Sequence, residues 1–84
     1  MDVSDIKRLI EAGIDGAEAQ VTGSGDHFDI SVIADHFVGL TPVKRQQMVY
    51  ACIKNLLDAG AIHAVKMQTF TREQWQTATR RGLV

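Results

Sequence analysis

Apolar positions along this 84-residue chain change their period several times, and each change marks an element. Ile6, Leu9 and Ile10 recur at helical spacing, which predicts a first helix from about Ser4 to Ala12. Asp2 or Ser4 can cap its start, and Gly13 stops it. Ala17, Ala19 and Val21 then alternate with Glu18, Gln20 and Thr22, the pattern of a half-buried strand over 17–22. Gly23-Ser24-Gly25-Asp26 is a turn by composition. Phe28, Ile30 and Val32 form one face of a second strand over 27–33, with His27, Asp29 and Ser31 on the other. The two strands read as a hairpin.

Residues 34–44 lead into a longer helix, in which Thr41 suits the N-cap and Pro42 the first helical position, where its missing N–H costs nothing. That helix runs to about Asp58, with Val49, Cys52, Ile53 and Leu56 on one face, and Gly60 is a C-terminal stop. A third strand is predicted from about Ala61 to Phe70. Thr71-Arg72-Glu73-Gln74 matches a capping box and opens a last helix carrying Trp75 and Ala78. The tail, 80–84, is expected to fray, leaving a single small domain over 1–79. The order α-β-β-α-β-α implies an α+β fold: a three-stranded sheet with helices on one face.

A chain this short has one core and hides only about 60% of its unfolded surface, which leaves little room for an enclosed active site. No Ser–His–Asp, Cys–His or paired-carboxylate arrangement is placed for catalysis, so a non-enzymatic binding or carrier module is expected. Cys52 is the single cysteine, which rules out an intramolecular disulfide and fits a reducing compartment. No apolar run approaches the roughly 20 residues of a membrane span. The start, MDVSDIKRLI, sets acids before bases and has no apolar stretch typical of a signal peptide, so the expected location is cytoplasmic. The net charge of −1 is unevenly divided. Residues 1–36 sum to −6 and residues 37–84 to +5, a pattern that suits either an electrostatically oriented partner or solvated faces of different sign.

The histidines are the candidate chemistry. The second strand, the long helix and the third strand form a strand–helix–strand unit, and if those strands are neighbours they run parallel with a right-handed crossover. Parallel neighbours begin at the same edge of the sheet. His27 opens the second strand and His63 sits near the start of the third, so both imidazoles fall at one rim, with strands about 4.8 Å apart. The bland reading is a packed histidine in an apolar strand (His63) and an ordinary loop histidine (His27). His36 lies in the connection towards the opposite edge, and Cys52 sits on a core face as a small hydrophobe. Two imidazoles do not complete a metal site, and the chain lacks the paired Cys and His spacings of structural zinc. If they bind metal, a second molecule must supply the remaining ligands, which iron–sulfur chemistry permits because two histidines can replace two thiolates on one iron.

The segments FVGLTPVKRQQMVY (37–50) and GAIHAVKMQTFTREQW (60–75), with QVTGSGDHFDISVIADHF (20–37) ahead of them, resemble the BolA family, closest to its bacterial IbaG-like branch. The resemblance runs from the first helix to Trp75 and rests on Phe37-x-Gly39-Leu40-Thr41, Lys44-Arg45, Ala61-Ile62-His63-Ala64 and Thr71-x-Glu73-Gln74-Trp75. It implies a fold similar to the class II KH domain. It also implies a partner, a monothiol glutaredoxin of the CGFS type. In the mixed complex a 2Fe-2S cluster would be held by the glutaredoxin cysteine, a glutathione thiol and histidines of this chain. The family's signature histidine falls on His63, and the second ligand comes from the loop between the first two strands, where this chain offers His27. The isolated chain would bind no cofactor.

The resemblance also implies a competing role, a nucleic-acid-binding transcription regulator. Lys44, Arg45, Lys54 and Lys66 could then meet phosphates. Against that role, the chain is acidic overall, and Gln46-Gln47 stands where many members carry further basic or histidine residues. The one GXXG string, Gly13-Ile14-Asp15-Gly16, precedes a strand and carries an acid, so it reads as a turn rather than a KH phosphate clamp. A purely structural interaction domain is a third reading, and a homodimer is open.

Overall fold

In the computed structural model, which describes residues 2–25 and 27–83, the chain runs α1 (Val3–Gly13), β1 (Glu18–Ser24), β2 (His27–Ile33), α2 (Pro42–Asp58), β3 (Ala64–Phe70) and α3 (Arg72–Arg80). A single 3₁₀ turn, Asp35–Phe37, follows β2. Of the expected turn and tail, Asp26 and Val84 lie outside the described residues.

Local capping chemistry sets the helix starts. Asp2 takes the N-cap of α1, accepting from Ser4 N–H, while Asp5 reaches back to the cap. Thr41 caps α2 ahead of Pro42, and Thr71 with Gln74 forms the capping box of α3. Each such cap is worth about 1 kcal/mol. At the other end of α3, Leu83 N–H donates to Ala78 at 2.9 Å, which holds the chain beyond Arg80.

The sheet order is β1-β2-β3, with β1 antiparallel and β3 parallel to the central β2. Phe28, Ile30 and Val32 face the core, and every one of them is at most 3% exposed. Ile6 and Ile10 of α1, Val49 and Ile53 of α2, and Phe37 pack into the same cluster. Each large side chain buried there contributes about 1.5 to 3 kcal/mol. The two helices cross closely at Gly13, where a Cβ would stand 2.6 Å from Cys52 Sγ. The Cys52 thiol donates to the Met48 carbonyl at 3.3 Å, and burial pushes its pKa up, as expected of a cysteine used for packing.

At the far end of the sheet α3 adds cover. Alternation turns Ile33 and its partner Phe70 away from Val32. Ile33 is nonetheless fully buried, Trp75 meets Phe70 edge-on at 5.1 Å between centroids, and Arg72 reaches Glu18 at 3.6 Å.

β3 begins three residues later than the apolar run suggests. Gly60 N–H donates to Leu57 and Ala61 N–H to Leu56, the pair of bonds of a Schellman motif, with Gly60 at φ +72°. The helix end therefore claims Gly60 and Ala61 before any strand can start. Ile62 drops into the core, and His63 is left just ahead of β3.

Candidate metal-binding rim

The rim is built from two turns. At the first, β1 turns tightly into β2, with Ser24 paired to His27 and Gly23 to Phe28. Gly23 has φ +128°, and a Cβ there would lie 2.3 Å from the His27 carbonyl oxygen and 2.9 Å from Phe28 Cα. Only glycine lets the strands approach that closely, so Gly23 fixes where His27 starts β2. At the second, the Schellman turn after α2 delivers His63, whose ring lies over Gly60, with Cε1 3.8 Å from the position of a Cβ.

The register then brings the histidines to one edge. His27 is the Cα partner of Ala64, and His63 is the residue before Ala64. Strand spacing and the length of one peptide unit put their Cα atoms on the order of 6 Å apart. Both side chains are exposed. Among the described residues His63 does not line the shallow depression that His27 borders on the outer face. That depression is lined by Ser24, His27, Asp29 and Lys66, whereas the His63 ring sits against Gly60. Among the described residues no three ligating side chains gather into a metal site. An exposed imidazole at the start of β2 and another just ahead of β3 have the chemistry of a partial donor set for iron. His36 is exposed in the 3₁₀ turn at the opposite end of β2.

The basic residues are not gathered. Lys44 lies in the first turn of α2, at the far end from the rim, on the helix-covered side of the sheet. Lys66 lies on the outer face, level with exposed Asp29. Arg45 is committed within the fold. Its Nε donates to the Leu40 carbonyl at 3.0 Å and Nη1 to Gln74 Oε1 at 2.9 Å, with the guanidinium 5.8 Å from the Phe37 ring centroid. That residue ties the start of α2 to the start of α3. The string Gly13-Ile14-Asp15-Gly16 is the turn from α1 to β1. Sequence patterns gave Gly23 and Gly60 as turn and stop residues. Their role beneath the histidines depends on register and a cap, which no local pattern carries.

The family model described as BolA-like protein matches residues 11–74. A protein from the rpoN-murA intergenic region of Acinetobacter guillouiae is 33% identical over 82 residues, covering 98% of this chain and 99% of that protein. The acid stress protein IbaG of Escherichia coli is 29% identical over 75 residues, covering 89% of each. The solved structure of a bolA protein homologue from Coxiella burnetii superposes with a TM-score of 0.80 at 28% identity, covering 90% of this chain and 97% of that one.

Proposed function

Because this chain belongs to the BolA family, we propose that it is a non-enzymatic iron–sulfur adaptor that docks on a monothiol CGFS glutaredoxin. His63 and His27 would ligate a 2Fe-2S cluster shared with the glutaredoxin cysteine and glutathione, in cluster trafficking or iron sensing. The observation that carries this reading is the pair of exposed imidazoles at one rim, His27 opening β2 and His63 just ahead of its parallel neighbour β3. Both rings are reachable by another molecule. A Cβ at Gly23 would run into the main chain of His27, and Gly60 supplies the positive φ of the turn that delivers His63. The cluster, when bound, would supply the redox and transfer chemistry. This chain's contribution is to present two nitrogen donors and leave the remaining coordination to the partner.

Imidazole ligates metal only when neutral, so acidification should release the histidine side of the shared site. The acid-stress name of the Escherichia coli relative is in keeping with such a response. The test is co-purification with a CGFS glutaredoxin and glutathione, read by visible circular dichroism. His63→Ala and His27→Ala should each lower cluster retention and chelator resistance while leaving the far-ultraviolet spectrum unchanged. Retention equal to wild type in both variants would refute the assignment.

A further inference from the structure

The sheet has two outer edges, and its own helix blocks one of them. On β1, Ala19 N–H donates to Glu11 at 3.0 Å and the Ala19 carbonyl accepts from Lys7 at 2.7 Å. On β3, the Phe70 carbonyl accepts from Ala34 N–H at 3.0 Å, so the main chain of Phe70 faces β2. Main-chain groups alternate sides along a strand, which turns the N–H and C=O of Val65, Met67 and Thr69 outward. Among the described residues, no hydrogen bond reaches those outward groups.

An apolar stripe runs beside that open edge. Val43, Tyr50 and Leu57 are seven residues apart in α2 and so share one flank. The opposite flank, through Cys52, meets α1 at Gly13. Val43 is 61% exposed and Tyr50 40%. The side chains of Val65, Met67 and Thr69 are half-buried and in register with Phe28, Ile30 and Val32, on the face that α2 covers. Tyr50 is the middle residue of α2 and Met67 the middle residue of β3, and α2 runs antiparallel to β3.

We propose that this side of the domain binds a second copy of the chain, β3 against β3 in antiparallel fashion, about a two-fold axis through Met67. Met67 then pairs with Met67 of the second copy, and Val65 with Thr69, forming about six main-chain hydrogen bonds, two for each such pair. The choice of a second copy rests on self-complementarity. Lys66 falls opposite Gln68, and on the helices Leu57 falls opposite Val43 and Lys54 opposite Gln46, so no like charges stand directly opposite one another. Centring the pairing on Lys66 instead would set lysine directly against lysine, which disfavours that register. The His27 and His63 rims sit towards opposite ends of the joined sheet, with His63 about 13 Å along the strand from the axis. The inference does not depend on the metal reading.

The test uses the full chain in sedimentation equilibrium over a range of concentrations, together with amide hydrogen exchange. Wild type should associate reversibly. The amides of Val65, Met67 and Thr69 should exchange more slowly as concentration rises, while those of Lys66 and Gln68, which face β2, do not change. Gln68 is exposed, so its variants should fold. Gln68→Glu places a carboxylate opposite Lys66 of the other copy twice over and should tighten the dimer about fivefold, and Gln68→Lys should weaken it about as much. Sedimentation as a single chain up to about 1 mM, the range of weak interfaces, would overturn the proposal. So would a dimer indifferent to both Gln68 variants with its β3 amides unprotected.

Discussion

Replacing Gly23 by alanine should remove much of this domain's stability margin, whereas the same change at Gly25 should cost only about 1 to 2 kcal/mol. Both glycines have positive φ, +128° and +66° respectively. At Gly25 nothing lies within 4 Å of the added Cβ. Its cost is the left-handed backbone alone, about 1 to 2 kcal/mol, more than restriction of the unfolded chain returns. Gly23 differs in two respects. Its φ lies where non-glycine residues cost about 1 to 3 kcal/mol. Its Cβ also meets main-chain atoms, the His27 oxygen at 2.3 Å and Phe28 Cα at 2.9 Å, and main chain cannot rotate aside. The first rungs of the hairpin must open, losing about two hydrogen bonds at roughly 1 kcal/mol each. The sum is about 3 to 5 kcal/mol, against a total of about 4 to 12 kcal/mol expected for a domain of this length. Urea unfolding followed by circular dichroism measures both variants against wild type. Midpoints lowered equally by Gly23→Ala and Gly25→Ala would refute the steric argument and leave only backbone propensity.

Two further predictions follow from side-chain contacts. The Ala19 N–H and then Lys7 hold the Glu11 carboxyl below its ordinary pKa of 4.5. A depressed carboxylate contributes stability that is fully present above the unfolded value and lost as pH falls through the folded one. Glu11→Gln should therefore cost about 0.5 to 1 kcal/mol at neutral pH, and the gap should narrow in urea titrations taken below pH 4.5. A gap that stays constant with pH would contradict that account. Arg45→Lys keeps the charge but loses the planar fork shared by Leu40, Gln74 and the Phe37 ring, so it should destabilise by about 1 to 2 kcal/mol. A thermal melt unchanged from wild type would show those contacts to be idle.

The parts of this fold legible in the sequence are those that local chemistry decides. Thr41 before Pro42, and Thr71 three residues before Gln74, announce helix starts whatever the rest of the chain does. The alternation of Phe28, Ile30 and Val32 sets the inner face of β2, and the long helix between β2 and β3 makes their parallel pairing the economical topology. From those features alone His27 and His63 fall at one rim. Where the rings point was not legible, because it depends on a helix cap: Ala61 and Ile62 read as strand by hydropathy, yet Leu56 and Leu57 claim the main chain of Ala61 and Gly60. The same limit hid Arg45, which reads as a surface cation beside Lys44 until the fold sets Gln74 and Leu40 within its reach.

The two sheet edges carry that distinction furthest. Lys7 and Glu11, four residues apart on a helix, read as a common surface ion pair, and such a pair alone is worth a few tenths of a kcal/mol. In the folded chain both also grip Ala19, so the pair closes the β1 edge against further strands. Among the described residues nothing comparable closes β3. The sheet can therefore grow on one side only, along the strand that His63 precedes. Mutating Lys7 or Glu11 would then do more than remove an ion pair: it would give the domain a second open edge.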